Sequence, residues 1–300
     1  MYTRILIPLD GSKTAENVLP YARTMGKTLE IPIELMGVVD IADMAAHISG
    51  EKDPHLDRLM LAAERNSKTY LDGIAQSFSG TRLKCIIERG NPEDVIIERA
   101  ATDRNTLIAM ATHGRSGMNR WLLGSVTEKV LRGASNPLLL VRAAEEAKTD
   151  GEAMVKSVLV PLDGSELAEK AMPKALELAK ALNLELILFR AYELPAAAYY
   201  GSEDYLPNYE ALAGQVKEGA KSYLDTKVAA LKAEGLEKVS MVLMEGPGPD
   251  EIISFARKSP DTLVAMCTHG RSGVKRWMLG SVTEKVVRHS GDPVLVVRAA

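Results

Sequence analysis

The residues of this chain best suited to chemistry are two short runs separated by nine positions. Met110-Ala111-Thr112-His113-Gly114 is followed, nine residues on, by Gly124-Ser125-Val126-Thr127-Glu128. Ser125-x-x-Glu128 has the form of a capping box, in which a serine and an acid satisfy backbone N–H groups reciprocally at a helix start. The spacing predicts a helix beginning directly after Gly124. Its unpaired N–H groups, with about half a positive charge from the aligned peptide dipoles, then face the C-terminal edge of a sheet. Gly114 leaves the preceding strand without a Cβ, Gly124 lets backbone come close, and the Ser125 and Thr127 hydroxyls add donors. Together they suit an anion such as a phosphate. Arg115 and Arg120 either add charge there or are solvated. The competing reading is that the glycines turn a loop and Ser125 caps a helix.

The same design occurs twice. ATHGRSGMNRWLLGSVTEKV, from Ala111 to Val130, returns as CTHGRSGVKRWMLGSVTEKV, from Cys267 to Val286, with sixteen of twenty positions unchanged. Core packing seldom fixes loop residues such as Arg115, Ser116 and Gly117, so their recurrence favours a functional reading. ILIPLDGS from Ile5 answers VLVPLDGS from Val158, and PLLLVRAA from Pro137 answers PVLVVRAA from Pro293. A period near 155 residues is too long for a solenoid, whose units run ~20 to 50 residues, so a whole domain is duplicated.

The second cluster is Pro8-Leu9-Asp10-Gly11-Ser12, matched by Pro161 to Ser165. It follows a strand and precedes a helix for which Ser12 is the expected N-cap. Asp10 then sits at the strand tip beside the crevice where the strand order reverses. A carboxylate there can accept from an exocyclic amine or a ribose hydroxyl, or it can merely cap the following helix.

Sharper chemistries are excluded. No G-x-x-x-x-G-K-[ST] or G-x-G-x-x-G run exists, and Gly114-Arg115-Ser116-Gly117 is one residue short of a G-x-S-x-G elbow. His113 and His269 suit a strand end or a ligand contact better than a catalytic base. No residue is assigned a catalytic role, and His47, His55 and His289 lack metal spacing.

Short apolar runs that position these residues fall at 4–7, 33–39, 83–87, 107–110 and 138–141, with helical patterns near 13–28, 57–77, 92–101 and 125–133. The second half follows suit, with strands near 157–160, 185–190, 239–244, 262–266 and 294–297. Continuous rather than alternating apolar runs suit strands covered on both faces, and the βαβα series argues a doubly wound α/β domain. The link Ala143 to Ala153 is small and charged and contains Gly151, so the boundary is placed there, giving domains 1–146 and 154–300. After the second strand the copies diverge, and the second carries Tyr199, Tyr200, Tyr205 and Tyr209. These segments are either variable loops or lids beside the crevice.

A net charge of -3 leaves no electrostatic footprint for nucleic acid, and no run approaches the ~18 apolar residues of a spanning helix. The N-terminus shows no apolar leader, and a cytoplasmic location is expected. Cys85 and Cys267 fall at non-equivalent positions and read as buried thiols.

These motifs resemble the universal stress protein family: a small residue, two residues, Gly, nine residues, then Gly-Ser, with the strand-one Asp and the terminal P-[VL]-L-[VL]-V-R strand, in both halves. The resemblance covers essentially the whole chain. It implies two tandem doubly wound domains, each a five-stranded parallel sheet of order 3-2-1-4-5 flanked by helices, with ATP at the C-terminal edge. Carried over by position, Pro8, Asp10 and Val38 border adenine and ribose, Gly114, Gly124, Ser125 and Val126 hold the phosphates, and the backbone at Ala111 approaches the ligand. In the second copy the positions are Pro161, Asp163, Ala191, Cys267, Gly270, Gly280, Ser281 and Val282. A divalent cation, Mg2+ or Mn2+, would be held through the phosphates, and the terminal strands would pair the two halves, with a further homodimer also open. Ala111 and Cys267 stand where the family has its first glycine, and Gly90-Asn91-Pro92 becomes Gly246-Pro247-Gly248-Pro249. The second copy is therefore expected to hold ligand less tightly or differently. The function implied is a nucleotide sensor in the stress response. A member acting through protein contacts without nucleotide, and a slow ATP hydrolase, are the alternatives.

Overall fold

The computed structural model describes residues 1–40, 54–112, 123–142, 149–193, 209–268 and 280–298. By their internal contacts they group into two units, one built on Met1–Met154 and taking in Pro293–Arg298, the other built on Val155–Val274 and Gly280–Asp292.

In the first unit β1 (Arg4–Pro8), β2 (Ile33–Val39), β3 (Leu83–Arg89), β4 (Thr106–Ala111) and β5 (Leu138–Val141) stand in the order β3-β2-β1-β4-β5. All four pairings among them are parallel. The continuous apolar runs have the cause inferred for them, because β4 and β5 are buried along their whole length. Val294–Val297, the strand β10 at the end of the chain, runs antiparallel to β5, with Leu295 opposite Leu139.

The helices of this unit are α1 (Leu19–Thr28), α2 (Pro54–Ala75), α3 (Pro92–Ala101) and α4 (Ser125–Gly133). The pattern over 13–28 predicts one helix, whereas the chain forms a 3-10 turn over Ala15–Val18 and then α1. Pro20 stands in the first turn of α1. It has no N–H to donate to Glu16, so the α ladder cannot run through from the preceding turn.

The second unit holds β6 (Ser157–Pro161), β7 (Glu185–Tyr192), β8 (Val239–Glu245) and β9 (Thr262–Cys267) in the order β8-β7-β6-β9, again parallel. Its helices are α5 (Glu166–Glu169), α6 (Met172–Ala181), α7 (Tyr209–Ala233), α8 (Gly248–Lys258) and α9 (Ser281–His289). Pro173 separates α5 from α6 as Pro20 does in the first copy. The fold is mixed α/β with two doubly wound halves. Among the described residues no helix is long and apolar enough to cross a membrane.

Candidate functional site

At the end of β1 the backbone N–H of Leu9 donates to Met36 O at 2.8 Å, so the chain stays in step with β2 for one residue more. It then turns at Gly11, whose φ of +82° lies in the left-handed region that favours glycine. Asp10 closes the turn, its Oδ1 accepting from Ser12 N at 3.0 Å and from Ser12 Oγ at 2.6 Å. Ser12 Oγ in turn accepts from Ala15 N at 3.1 Å. The second copy repeats this, with Asp163 Oδ1 accepting from Ser165 N at 2.9 Å and Oγ at 2.6 Å around Gly164 at φ +86°. There Ser165 is a true N-cap, accepting from Ala168 N. Ser12 does the same job one 3-10 turn ahead of α1 rather than capping an α-helix. The aspartate thus has a local duty, and it also faces the cavity described below.

The chain leaves β4 at Thr112 and returns at Gly124, whose N–H donates to Thr112 O at 2.7 Å. From there α4 begins, and the capping box expected of Ser125 and Glu128 does not form. Gly124 is the N-cap residue and has no side chain to cap with, and Ser125 is already helical. Glu128 instead pairs with Arg132 one turn on, at 2.9 Å, because the i,i+4 acid-to-base order is favourable on an exposed face. In α9 Glu284 and Arg288 do likewise, also at 2.9 Å, behind an N-cap at Gly280 that lacks a side-chain bond. The consequence is chemical: the N–H groups of the first turn point out of the helix end, and the N-cap position supplies no side-chain acceptor for them. Gly124 has φ -59° and ψ 146°, open to any residue, so its use lies in the space beside it rather than in backbone freedom.

These pieces enclose a cavity of about 210 Å³. Pro8, Asp10, Val38, Ala111, Gly124, Ser125 and Val126 all line it. In the second copy Pro161, Asp163, Ala191, Cys267, Gly280, Ser281 and Val282 line a cavity of about 360 Å³. Gly114 and Gly270, with His113, His269, Arg115 and Arg120, lie outside the described residues, as do Tyr199, Tyr200 and Tyr205.

The sequence reading missed Met36, Pro92 and Ile96, which also line the first cavity; Thr127, expected to offer its hydroxyl to an anion, lines it too but donates to the Ala111 carbonyl instead. Met36 was reachable, since it alternates with Val38 on one face of β2. Pro92 and Ile96 come from α3, whose docking no local pattern specifies. Ile96 is kept as Ile252, whereas Gly248 stands where Pro92 does and Ala191 where Val38 does, so the larger second cavity has a smaller side chain at two lining positions.

Helix α4 is tied to α3 by an ion pair between Lys129 and Glu93. Burial pushes the Glu93 carboxyl up, but hydrogen bonds from Lys129, its own backbone N–H and Asn91, together with the charge of Lys129, outweigh it and hold it below the ordinary 4.5. In the second copy Lys285 reaches Asp250 at 2.7 Å instead, because Pro249 occupies the place of Glu93. No group of three or more His, Cys, Asp or Glu is placed to hold a metal among the described residues.

The family model described as "Universal stress protein family" matches residues 1–142 and again 154–298. A universal stress protein of Methanocaldococcus jannaschii is 32% identical over 152 residues, covering 50% of this chain and 85% of that protein. One from Mycobacterium tuberculosis is 28% identical over 309 residues, covering 98% of this chain and 96% of its own. The crystal structure of a universal stress protein from Archaeoglobus fulgidus superposes with a TM-score of 0.73 at 22% identity, over 100% of both chains. The chain belongs to the universal stress protein family, with one family domain in each half.

Proposed function

We propose that each cavity binds an adenine nucleotide, ATP in the first instance, and that the protein works as a nucleotide-responsive regulator of the stress response in the cytoplasm. The observation that carries this is the first turn of α4, which opens without a side-chain cap into a largely apolar cavity bordered by one carboxylate. An aromatic base fits apolar walls such as Pro8, Met36, Val38 and Met110, and a carboxylate fits a ribose or amine at the same end. Phosphates suit the helix start, where backbone N–H groups and the peptide dipoles favour negative charge. Gly114 and Gly270 would join them there, and Mg2+ or Mn2+ would be held through phosphate oxygens and water.

Size fits as well. The 210 Å³ cavity is below the ~300–1,000 Å³ usual for ligand sites, but a groove of about 530 Å³ adjoins it and shares Leu9, Asp10 and Val38. The test is a thermal melt with and without millimolar ATP and Mg2+, together with the mass of any small molecule released on denaturation. A ligand binding only the folded state at 100 times its Kd adds about 2.7 kcal/mol. An unchanged melt with no retained nucleotide points instead to a member acting through protein contacts.

A further inference from the structure

The two copies differ at one charged position beside the cavity. Gly37 in β2 is replaced in β7 by Arg190, since β1 and β6 set Pro8 against Met36 and Pro161 against Phe189 in the same register. The Arg190 guanidinium is held by three features. Gly164 leaves room for it, because a Cβ there would lie 3.2 Å from Nη2 and 3.4 Å from Nη1. The Tyr223 ring on α7 supports it from one face, with Cζ 4.7 Å from the ring centroid. Tyr223 is itself fixed, its hydroxyl donating to Glu169 at 2.7 Å, an acid also bound by Lys227 at 2.7 Å.

Arg190 lines a groove of about 340 Å³ that shares Asp163, Ala191 and Gly248 with the main cavity but none of Gly280, Ser281 or Val282. A ligand group reaching it therefore leaves the ligand at the Asp163 end, away from the helix start. Arg190 is the one cation among the described residues lining this groove, where Asp163 and Glu193 supply negative charge. The corresponding groove of the first copy is lined by Asp10, Asp40, Asn66, Ser67 and Tyr70, and by no cation among the described residues. A guanidinium held over an aromatic face can still offer its planar N–H fork to a phosphate bidentately.

We infer that Arg190 makes the second cavity selective for an adenine nucleotide carrying a second phosphate on its ribose, while the first cavity takes nucleotides with unmodified ribose hydroxyls. The inference rests on the nucleotide reading above, which places the ribose at Asp163.

Calorimetry on the full chain with ADP and with adenosine 3′,5′-bisphosphate tests it, since the two carry the same number of phosphates in different places. The bisphosphate binds one site about tenfold tighter than ADP does, the effect of one charge-assisted contact. In Arg190→Gln and in Arg190→Gly the ratio of the two Kd values falls to about one, with melts confirming both variants folded; Arg190→Gln keeps the bulk over Gly164 should the glycine variant be unstable. A bisphosphate no tighter than ADP, or an advantage that survives both substitutions, overturns the inference and leaves the nucleotide reading standing. Binding of neither nucleotide overturns both.

Discussion

Thr127 Oγ1 donates to the backbone carbonyl of Ala111 at 3.0 Å, a buried bond that fastens the first turn of α4 to the last residue of β4. Thr283 and Cys267 repeat it at 2.8 Å. Both carbonyls stand at the ends of their strands, so the bond sets the distance from strand end to helix start.

Thr127→Val keeps the shape of the side chain and leaves the Ala111 carbonyl without its side-chain donor. The expected loss is about 1–2 kcal/mol of stability, read by denaturant titration. Nucleotide affinity at the first site falls several-fold as well, and Thr127→Ser restores both. Full affinity in a Thr127→Val protein of lowered stability would separate the clamp from the site.

Gly124 and Gly280 test the phosphate positions. Because Gly124 has negative φ, Gly124→Ala folds and melts like the parent, while Gly124→Val places bulk where the phosphates would lie. Calorimetry on Gly124→Val shows the first site lost and the second kept, and Gly280→Val gives the reverse. The parent carries two sites per chain, the first tighter. A single parental site abolished only by Gly280→Val would reverse that ranking.

Asp10→Asn keeps an oxygen for Ser12 N and Ser12 Oγ, so the turn survives. The other side-chain atom changes from acceptor to donor, and a hydrogen bond to a charged group contributes about 1.5–3 kcal/mol. ATP binding weakens by up to roughly two orders of magnitude, while binding of inorganic triphosphate is unaffected. Normal binding with lost turnover would instead make Asp10 a catalytic base.

The first unit is expected to lose stability in acid through Glu34. Burial raises its pKa, but the Arg99 hydrogen bond at 2.8 Å and the charges of Arg99, Arg4 and Lys84 outweigh burial and hold it below 4.5. A carboxyl depressed in the folded state stabilises above its unfolded pKa and loses that contribution as pH falls through the folded value. Stability therefore declines below about pH 4.5, and Glu34→Gln, at a cost of about 1–3 kcal/mol at pH 7, flattens the decline. Ile187 occupies the matching register position in β7, so Ile187→Ala leaves the acid slope unchanged.

How far the sequence reaches is plain from the site itself. Asp10, Gly124 and Ser125 were placed correctly at element ends because strand tips and helix starts obey local rules of turn geometry and hydrogen bonding. The same local rules misassigned Ser125 as a cap, since they do not register that Arg132 would take Glu128. They also joined two short helices into one across Pro20, although the proline itself carried the warning.

The duplication, the α/β alternation and the residue types at each strand end are properties of the sequence alone, because each rests on identity or periodicity along the chain. Only the tertiary structure decided which side chains meet. Ile96 reaches the cavity because α3 docks across β4, and Arg190 lies over Gly164 and Tyr223 because β7 stands between β6 and β8 in the sheet. Such meetings join residues tens of positions apart, where strand order and helix docking set the distance and no local period encodes it.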